Sequence, residues 1–231
     1  MCKKLLIVAA ALSLSVTLSA QRSELGFGLG TFTYTGDLVR SYNIKYSKPA
    51  ATVFYRSNIG KVVSFRASIT AGKLGASEKP IDAFAAQRNA SFDIFLFEGA
   101  LGMEYHFLNW RDDKRPMRYT PYLFAGMGLF GISGNATKSA EYSNIQGAIP
   151  FGGGFKYILN PQWYAAFEIG IRKTFFDYLD NVSDFTDQTL KTNPQTGNPK
   201  YGNPNDFDNY FFVGITFTRT FYDIPCPTNP Y

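Results

Sequence analysis

Residues that could perform acid–base or nucleophilic chemistry are scarce in this 231-residue chain, which has one histidine and two cysteines. A serine or cysteine nucleophile needs a base, and His106 is the histidine that could serve. Because His106 lies near the end of an alternating segment and shares a face with charged residues, a hydrogen-bonded structural histidine is the simpler interpretation. No cysteine or histidine pair has the spacing of a zinc site. We therefore expect no catalytic residue, no metal and no cofactor.

A group of aspartates is the most distinctive acidic feature. It lies in RKTFFDYLDNVSDFTD, residues 172–187, and consists of Asp177, Asp180, Asp184 and Asp187. Carboxylate oxygens are suitable calcium ligands, but this spacing is not that of an EF-hand loop. Asp and Asn side chains also begin turns. The start of a long loop is therefore the plainer explanation of the group.

Other charged residues stand inside alternating segments, where a strand must position them. In VVSFRASITAG, residues 62–72, apolar side chains alternate with polar ones, and Arg66 belongs to the polar set. Alternation with a period of two predicts a β-strand with one apolar and one polar face. The environment of Arg66 then depends on which face meets water.

Eight segments show this alternation, so the sequence predicts an all-β protein. They cover residues 24–34, 50–58, 62–72, 92–107, 120–132, 148–158, 163–175 and 209–221. Aromatic residues, which favour strands, are abundant, with 22 Phe and 15 Tyr.

The connections alternate between compact turns and long loops. Turns lie at Gly60, 109–118 and 160–162, whereas the loops cover 35–49, 73–91, 133–147 and 176–208. An even strand number with this asymmetry is typical of outer-membrane barrels, and strands of about 9 to 11 residues can cross a bilayer. We predict an eight-stranded antiparallel transmembrane β-barrel of the outer-membrane type, with both chain ends in the periplasm. A soluble, lipocalin-like barrel with its apolar faces inside is the alternative.

The polar faces would line a narrow lumen that side chains must fill. Arg66 and Arg172 occupy the polar positions of the alternation in their strands, so their side chains have inward parity, meaning that they would point into the lumen. An uncompensated charge in the lumen would be costly. Glu98, Glu104 and Glu168 share that parity. We therefore predict a polar, plugged interior in which Arg66 meets Glu98 or Glu104 on the neighbouring strand.

The chain ends carry separate signals. Residues 1–20 combine two lysines, an apolar middle and a small-residue site ending at Ala20, which predicts a cleaved signal peptide. The barrel would then occupy residues 21–221, and a periplasmic tail residues 222–231. Loss of the two lysines lowers the formal net charge from +5 to +3. Since the remaining charges form no basic stripe, we expect no nucleic-acid partner.

Four stretches resemble the PorG family, small outer-membrane barrels of the type IX secretion system in Bacteroidetes-type bacteria. They are GLGTFTYTGDL, IPFGGGFKY, RKTFFDYLDNVSD and FFVGITFTRTFYDIPCP, and the resemblance covers residues 24–227. It implies a non-catalytic protein that tethers a periplasmic ring of PorK-type and PorN-type proteins to the outer membrane beside the translocon. Such a protein supports the export of cargo and, in gliding bacteria, of motility adhesins.

Contacts with such a ring would have to come from the periplasmic side of the membrane. The turn NWRDDKRPMR, residues 109–118, is densely charged and contains an aromatic residue, and the tail exposes a cysteine. From this topology, the candidate partner contacts are Trp110, Arg111, Asp112, Asp113 and Cys226. The other expected partner is the lipid of the outer membrane.

Two other functions stay open. A passive barrel of the OmpA or OmpW type would give structural support or a narrow conduit for small solutes. A lipid-modifying enzyme would depend on His106, since it is the one histidine of the chain.

Overall fold

Eight β-strands make up most of the chain that the structure describes. The computed structural model describes residues 23–39, 42–77, 91–109, 117–133, 143–160, 162–176, 179–180 and 208–221. The strands are β1 (Ser23–Thr35), β2 (Lys48–Asn58), β3 (Val63–Ser77), β4 (Ser91–His106), β5 (Tyr119–Ser133), β6 (Ile145–Ile158), β7 (Trp163–Thr174) and β8 (Asn209–Phe221). A 3-10 turn, Ile44–Tyr46, lies between β1 and β2. Within the described ranges, no helix has the length and apolar character needed to cross a membrane.

The strands close into one antiparallel barrel, in which each strand pairs with the next along the chain and β8 pairs with β1. Ser23 lies opposite Phe221 and Thr35 lies opposite Asn209, so the closing seam runs along the full length of both strands. Closure removes the free edges that an open sheet would expose. The predicted eight-stranded antiparallel barrel is confirmed.

Strand boundaries differ from the sequence prediction by at most three residues, except at the end of β3. β3 continues to Ser77, five residues beyond the predicted end at residue 72. The alternation fades there because Gly75, Ala76 and Ser77 are small, although Leu74 and Ala76 still point inward and are buried.

The two ends of the barrel are different. The short-turn end carries the connections 59–62, 107–118 and 159–162, together with the start of β1 and the end of β8. The long-loop end carries the connections 36–47, 78–90, 134–144 and 175–208. This asymmetry follows the predicted pattern of compact turns and long loops.

The outer wall of the barrel is apolar. Met127 is 78% exposed, Leu29 is 69% exposed and Leu101 is 58% exposed, whereas the neighbouring inward residues are polar or small. In β4, for example, Phe97 is half exposed while the next residue, Glu98, is buried. Because water would disfavour so much exposed apolar surface, this wall fits hydrocarbon, as in the outer-membrane type of barrel. The lipocalin-like alternative is therefore wrong.

The lumen is filled in two different layers. Charged and hydrogen-bonding side chains fill the half nearest the short-turn end. An apolar cluster fills the half nearest the long-loop end, formed mainly by Phe32, Leu74, Ile94, Leu96, Phe130 and Phe212. Leu38, Val39, Phe176 and Leu179, from the connections beyond β1 and β7, extend this cluster across the mouth. The polar, plugged interior is thus observed, and an apolar layer, which the sequence prediction lacked, lies above it.

Candidate functional site

The charged half of the lumen is organised around Glu104 on β4, which is 1% exposed. Its Oε1 accepts a hydrogen bond from Arg56 Nη2 at 2.8 Å and lies 3.3 Å from Arg66 Nη1. Its Oε2 accepts from Lys156 Nζ at 2.6 Å. Strands β2, β3 and β6 therefore each direct one cation toward the same buried carboxylate.

Arg56 connects this centre to the first strand. Its Nη1 donates to Glu24 Oε2 at 2.8 Å and to the Tyr164 hydroxyl at 2.6 Å. The Tyr164 hydroxyl also hydrogen-bonds Glu24. Asn58 Nδ2 donates to Glu24 Oε1 at 2.6 Å. Hydrogen bonds to ionised groups are stronger than neutral ones, so this set fixes β1, β2 and β7 relative to one another.

Arg66 reaches across the barrel to β7. Its Nη1 donates to Glu168 Oε2 at 2.5 Å, and the Tyr122 hydroxyl donates to the same oxygen at 2.9 Å. The guanidinium carbon of Arg66 lies 4.3 Å from the centre of the Phe54 ring, a cation–π distance. A Cβ at Gly154 would lie 2.6 Å from the Tyr122 ring, so glycine there leaves space for that ring.

A second, smaller cluster lies between the charged half and the apolar layer. Arg172 Nε donates to Glu98 Oε2 at 3.2 Å, and the Tyr210 hydroxyl donates to the same oxygen at 2.6 Å. The Arg172 guanidinium carbon lies 5.3 Å from the centre of the Phe212 ring. This cluster therefore joins the polar and apolar layers.

The predicted lumen residues are all buried, but their partners differ in part from the expected ones. Arg66 contacts Glu104 on the neighbouring strand, and its shortest contact is with Glu168 on the opposite wall. Glu98, the other expected partner of Arg66, lies against Arg172. Pairing across the barrel depends on its radius and register, neither of which can be determined from parity.

Three charged members of the cluster were missed in the sequence analysis: Glu24, Arg56 and Lys156. All three have inward parity within predicted strands, so the rule that identified Arg66 could have found them. With them, the two charged clusters together contain four cations, Arg56, Arg66, Lys156 and Arg172, and four carboxylates, Glu24, Glu98, Glu104 and Glu168. The formal charge of this set is zero, which reduces the cost of placing it in a low-dielectric interior.

His106 belongs to the same network and is fully buried. Its Nδ1 lies 3.2 Å from the carbonyl oxygen of Val62, and its Nε2 lies 2.6 Å from Lys156 Nζ. A carbonyl accepts and an ammonium donates, so the geometry assigns the proton to Nδ1 and leaves Nε2 as an acceptor. Both ring nitrogens are thus engaged in structural contacts.

The mouth at the long-loop end is tied together by two buried aspartates. The Tyr34 hydroxyl lies 2.7 Å from Asp180 Oδ2 and 2.5 Å from Asp208 Oδ1. The Leu179 backbone N–H donates to Asp208 Oδ2 at 2.8 Å. Asp180 and Asp208 therefore tie the described residues next to them to Tyr34 on β1.

The remaining members of the predicted aspartate group, Asp177, Asp184 and Asp187, lie outside the described residues. Within the described ranges, no three His, Cys, Asp or Glu side chains form a group that could hold a metal ion.

A small cavity remains beside the glycine pair of β4 and β5, Gly102 and Gly126. It measures about 20 Å³ and is bordered by Arg66, Arg172 and Glu168. This volume holds about one water molecule. Arg66 Nε and Glu168 Oε1 have no hydrogen-bond partner within the described part of the chain, so a water would find polar contacts there.

The candidate partner contacts of the short-turn end lie outside the described residues. These are Trp110, Arg111, Asp112 and Asp113 in the β4–β5 connection, and Cys226 in the segment after β8. The predicted signal peptide, residues 1–20, lies outside them as well. These assignments stay predictions.

Family comparison places the whole sequence in one group. A profile described as "Domain of unknown function (DUF6089)" matches residues 3–229. The chain belongs to the DUF6089 family. Among curated proteins, none matches this chain.

Solved structures similar to the DUF6089 chain include several outer-membrane proteins. Neisserial surface protein A has a TM-score of 0.52 at 13% identity, and the match covers 86% of this chain and 97% of that one. The outer membrane protein OprG from Pseudomonas aeruginosa has a TM-score of 0.51 at 10% identity, covering 88% and 97%. Ail, the attachment invasion locus protein of Yersinia pestis, has a TM-score of 0.46 at 11% identity, covering 87% and 99%. At these identities, the first two matches support the fold of the DUF6089 barrel and nothing more specific.

Side chains fill both halves of the described lumen of the DUF6089 barrel. Ion pairs bridge opposite walls in one half, and closely packed rings occupy the other. The cavity beside Gly102 and Gly126 has room for about one water molecule, at about 20 Å³.

Proposed function

We propose that this DUF6089 protein is a non-catalytic outer-membrane component of the type IX secretion system. In this proposal it tethers a periplasmic ring of PorK-type and PorN-type proteins to the outer membrane. It thereby supports the export of cargo proteins and, in gliding bacteria, of adhesins. The resemblance of its sequence to the PorG family supports the assignment to this system.

The observation that supports an anchoring role is that side chains fill the lumen. Glu104 and its three cations occupy the charged half, and Phe130 and Phe212 pack among other apolar side chains in the other half. A barrel that passes no solute can still act through its outer wall and its two ends. An anchor needs a stable membrane-spanning body and one end that meets its partner.

The proposed orientation places the short-turn end in the periplasm, as in bacterial outer-membrane barrels. The connection from residue 107 to residue 118 and the segment that follows Phe221 then emerge on the same side of the membrane. These are the places that hold the candidate contacts Trp110, Arg111, Asp112, Asp113 and Cys226. Both could therefore meet one periplasmic partner at the same time.

Site-specific photocrosslinking in intact cells tests this proposal. A benzophenone amino acid at position 110 or 113 should form crosslinks to PorK-type or PorN-type ring proteins. The matched control is position 143, because Ser143 is exposed at the long-loop end. It should give no ring crosslink. The same ring proteins should copurify with the unmodified barrel in mild detergent.

Two results would contradict the tether. One is the absence of ring proteins from both the crosslinks and the copurified material, with cargo secretion intact in a deletion strain. The other is selective solute conductance of the purified barrel in planar bilayers, which would favour the passive conduit of the OmpA or OmpW type.

A further inference from the structure

The segment 42–47 after β1 lies against the outer wall of the barrel. The Tyr42 ring meets the Phe211 ring of β8 edge-on, with centroids 5.4 Å apart and an interplanar angle of 76°. Ser47 Oγ lies 2.8 Å from Thr33 Oγ1 on β1. Thr33 and Phe211 are register partners on the outward face. The segment therefore crosses the outside of the β1–β8 seam near the long-loop end.

In this position the segment covers Thr33, a polar side chain that would otherwise interrupt the apolar outer wall. At the level of Thr33, the neighbouring outward residues are Phe211 on β8 and, beyond it, Ile171 on β7. A hydroxyl exposed to hydrocarbon would lack hydrogen-bond partners. Thr33 is instead 0% exposed, because the segment covers it. At this place the outer surface of the barrel is therefore formed by segment 42–47 and not by β1.

The side chains that the segment presents outward are those of a membrane interface. Ile44 in the 3-10 turn is 75% exposed and Tyr42 is 45% exposed. The exposed Lys45 follows Ile44, and Lys173 on β7 is exposed and faces outward at the next level toward the long-loop end, opposite Asn209. Tyr residues favour the boundary between hydrocarbon and headgroups, and lysines there attract anionic lipid.

We propose that segment 42–47 is a lipid anchor. Ile44 enters the leaflet at the long-loop end, with Tyr42 at the headgroup boundary. Lys45 and Lys173 bind the phosphates of anionic lipids. The surface is continuous with the apolar wall of the barrel, so the same bilayer that surrounds the strands is its partner. This role is independent of any periplasmic partner.

Spin labels measure the depth of this segment directly. We would attach a nitroxide to Ile44→Cys in a background with Cys2→Ser and Cys226→Ser, and refold the barrel into phosphatidylcholine vesicles with and without phosphatidylglycerol. Met127→Cys is the lipid-facing control and Ser143→Cys is the aqueous control, since both positions are exposed. A heat-dependent shift in gel migration verifies folding of each variant.

The label at position 44 should be accessible to oxygen and protected from a water-soluble nickel chelate, as at position 127. Phosphatidylglycerol should increase that protection, and Lys45→Gln should reduce the increase. Nickel accessibility equal to that at position 143 would overturn the proposal. Protection from both reagents would also overturn it, because that result indicates a second copy of the barrel on this face. If the position 44 variant does not fold, a label at the exposed position 45 supplies the depth measurement, and Lys173→Gln then replaces Lys45→Gln as the charge variant.

Discussion

The carboxylate of Glu104 provides the most direct test of the lumen architecture. Glu104→Gln keeps the size of a side chain that is 1% exposed but removes its negative charge. Arg56, Arg66 and Lys156 keep their charges and lose an ionised acceptor at distances of 2.8, 3.3 and 2.6 Å. Removing one partner from a buried ion pair costs about 3–5 kcal/mol. We expect the free energy of unfolding to fall by that amount.

The measurement is urea unfolding of the barrel refolded into phosphatidylcholine vesicles, followed by tryptophan fluorescence and by gel migration. Asp93→Asn is the matched control, because it makes the same chemical change in a side chain that is 56% exposed and 3.5 Å from Lys48. An exposed pair contributes about 0–1 kcal/mol, so this control should be nearly neutral.

A double variant tests whether charge balance is the cause. Lys156→Gln combined with Glu104→Gln restores equal numbers of cations and carboxylates in the two charged clusters. The double variant should lose less stability than the sum of the single losses, by about 0.5–3 kcal/mol. A loss for Glu104→Gln no larger than that for Asp93→Asn, or strictly additive losses, would refute the reasoning.

Three further predictions concern the apolar layer, the mouth and His106. Phe130→Ala should lower the free energy of unfolding by about 3–5 kcal/mol, because the ring is fully buried. A loss below about 1 kcal/mol in urea unfolding, as is typical of surface changes, would contradict a packed layer. Asp208→Asn weakens the hydrogen bonds from the Tyr34 hydroxyl and the Leu179 N–H. Hydrogen exchange at Leu179 should therefore accelerate by about tenfold, for a loss of about 1.4 kcal/mol, and unchanged exchange would count against this tie. His106→Ala should leave cellular lipid A and phospholipids unchanged in mass spectra, since both ring nitrogens have structural contacts. Loss of a lipid modification would favour the enzyme hypothesis.

The barrel could be predicted because its strands are two-sided. Each spanning strand must present apolar side chains to lipid and smaller or polar ones to the lumen, so the period of two persists over many residues. β8 was predicted from residue 209 to residue 221, as observed. The end of β3 was missed because Gly75, Ala76 and Ser77 give little contrast between the faces. Contrast between faces, rather than strand propensity, therefore determined which boundaries could be predicted.

Parity identified which residues enter the lumen, but it could not predict their pairing. Arg56 and Arg66 are register partners on β2 and β3, so two like charges stand side by side on adjacent strands. Glu24 is the register partner of Arg56 on the adjacent strand β1. Two other contacts join strands that are not neighbours: Arg56 meets Glu104 on β4, and Arg66 meets Glu168 on β7. The distances across the lumen depend on strand tilt and stagger. These quantities are properties of the closed barrel and leave no local signal in the sequence.

Cross-lumen pairing has a consequence for how the barrel resists force. The contact of Arg66 with Glu168 joins β3 to β7, and that of Arg56 with Tyr164 joins β2 to β7. An open or partly opened sheet would lose these contacts together, leaving buried charges without compensation, which is costly. Opening at one strand pair therefore destabilises distant strands. This network lies in the half nearest the short-turn end. A load applied at that end would therefore meet the part of the described wall that is most extensively cross-linked by ion pairs. A barrel built to conduct would need that volume open, whereas a barrel that serves as an anchor gains from filling it.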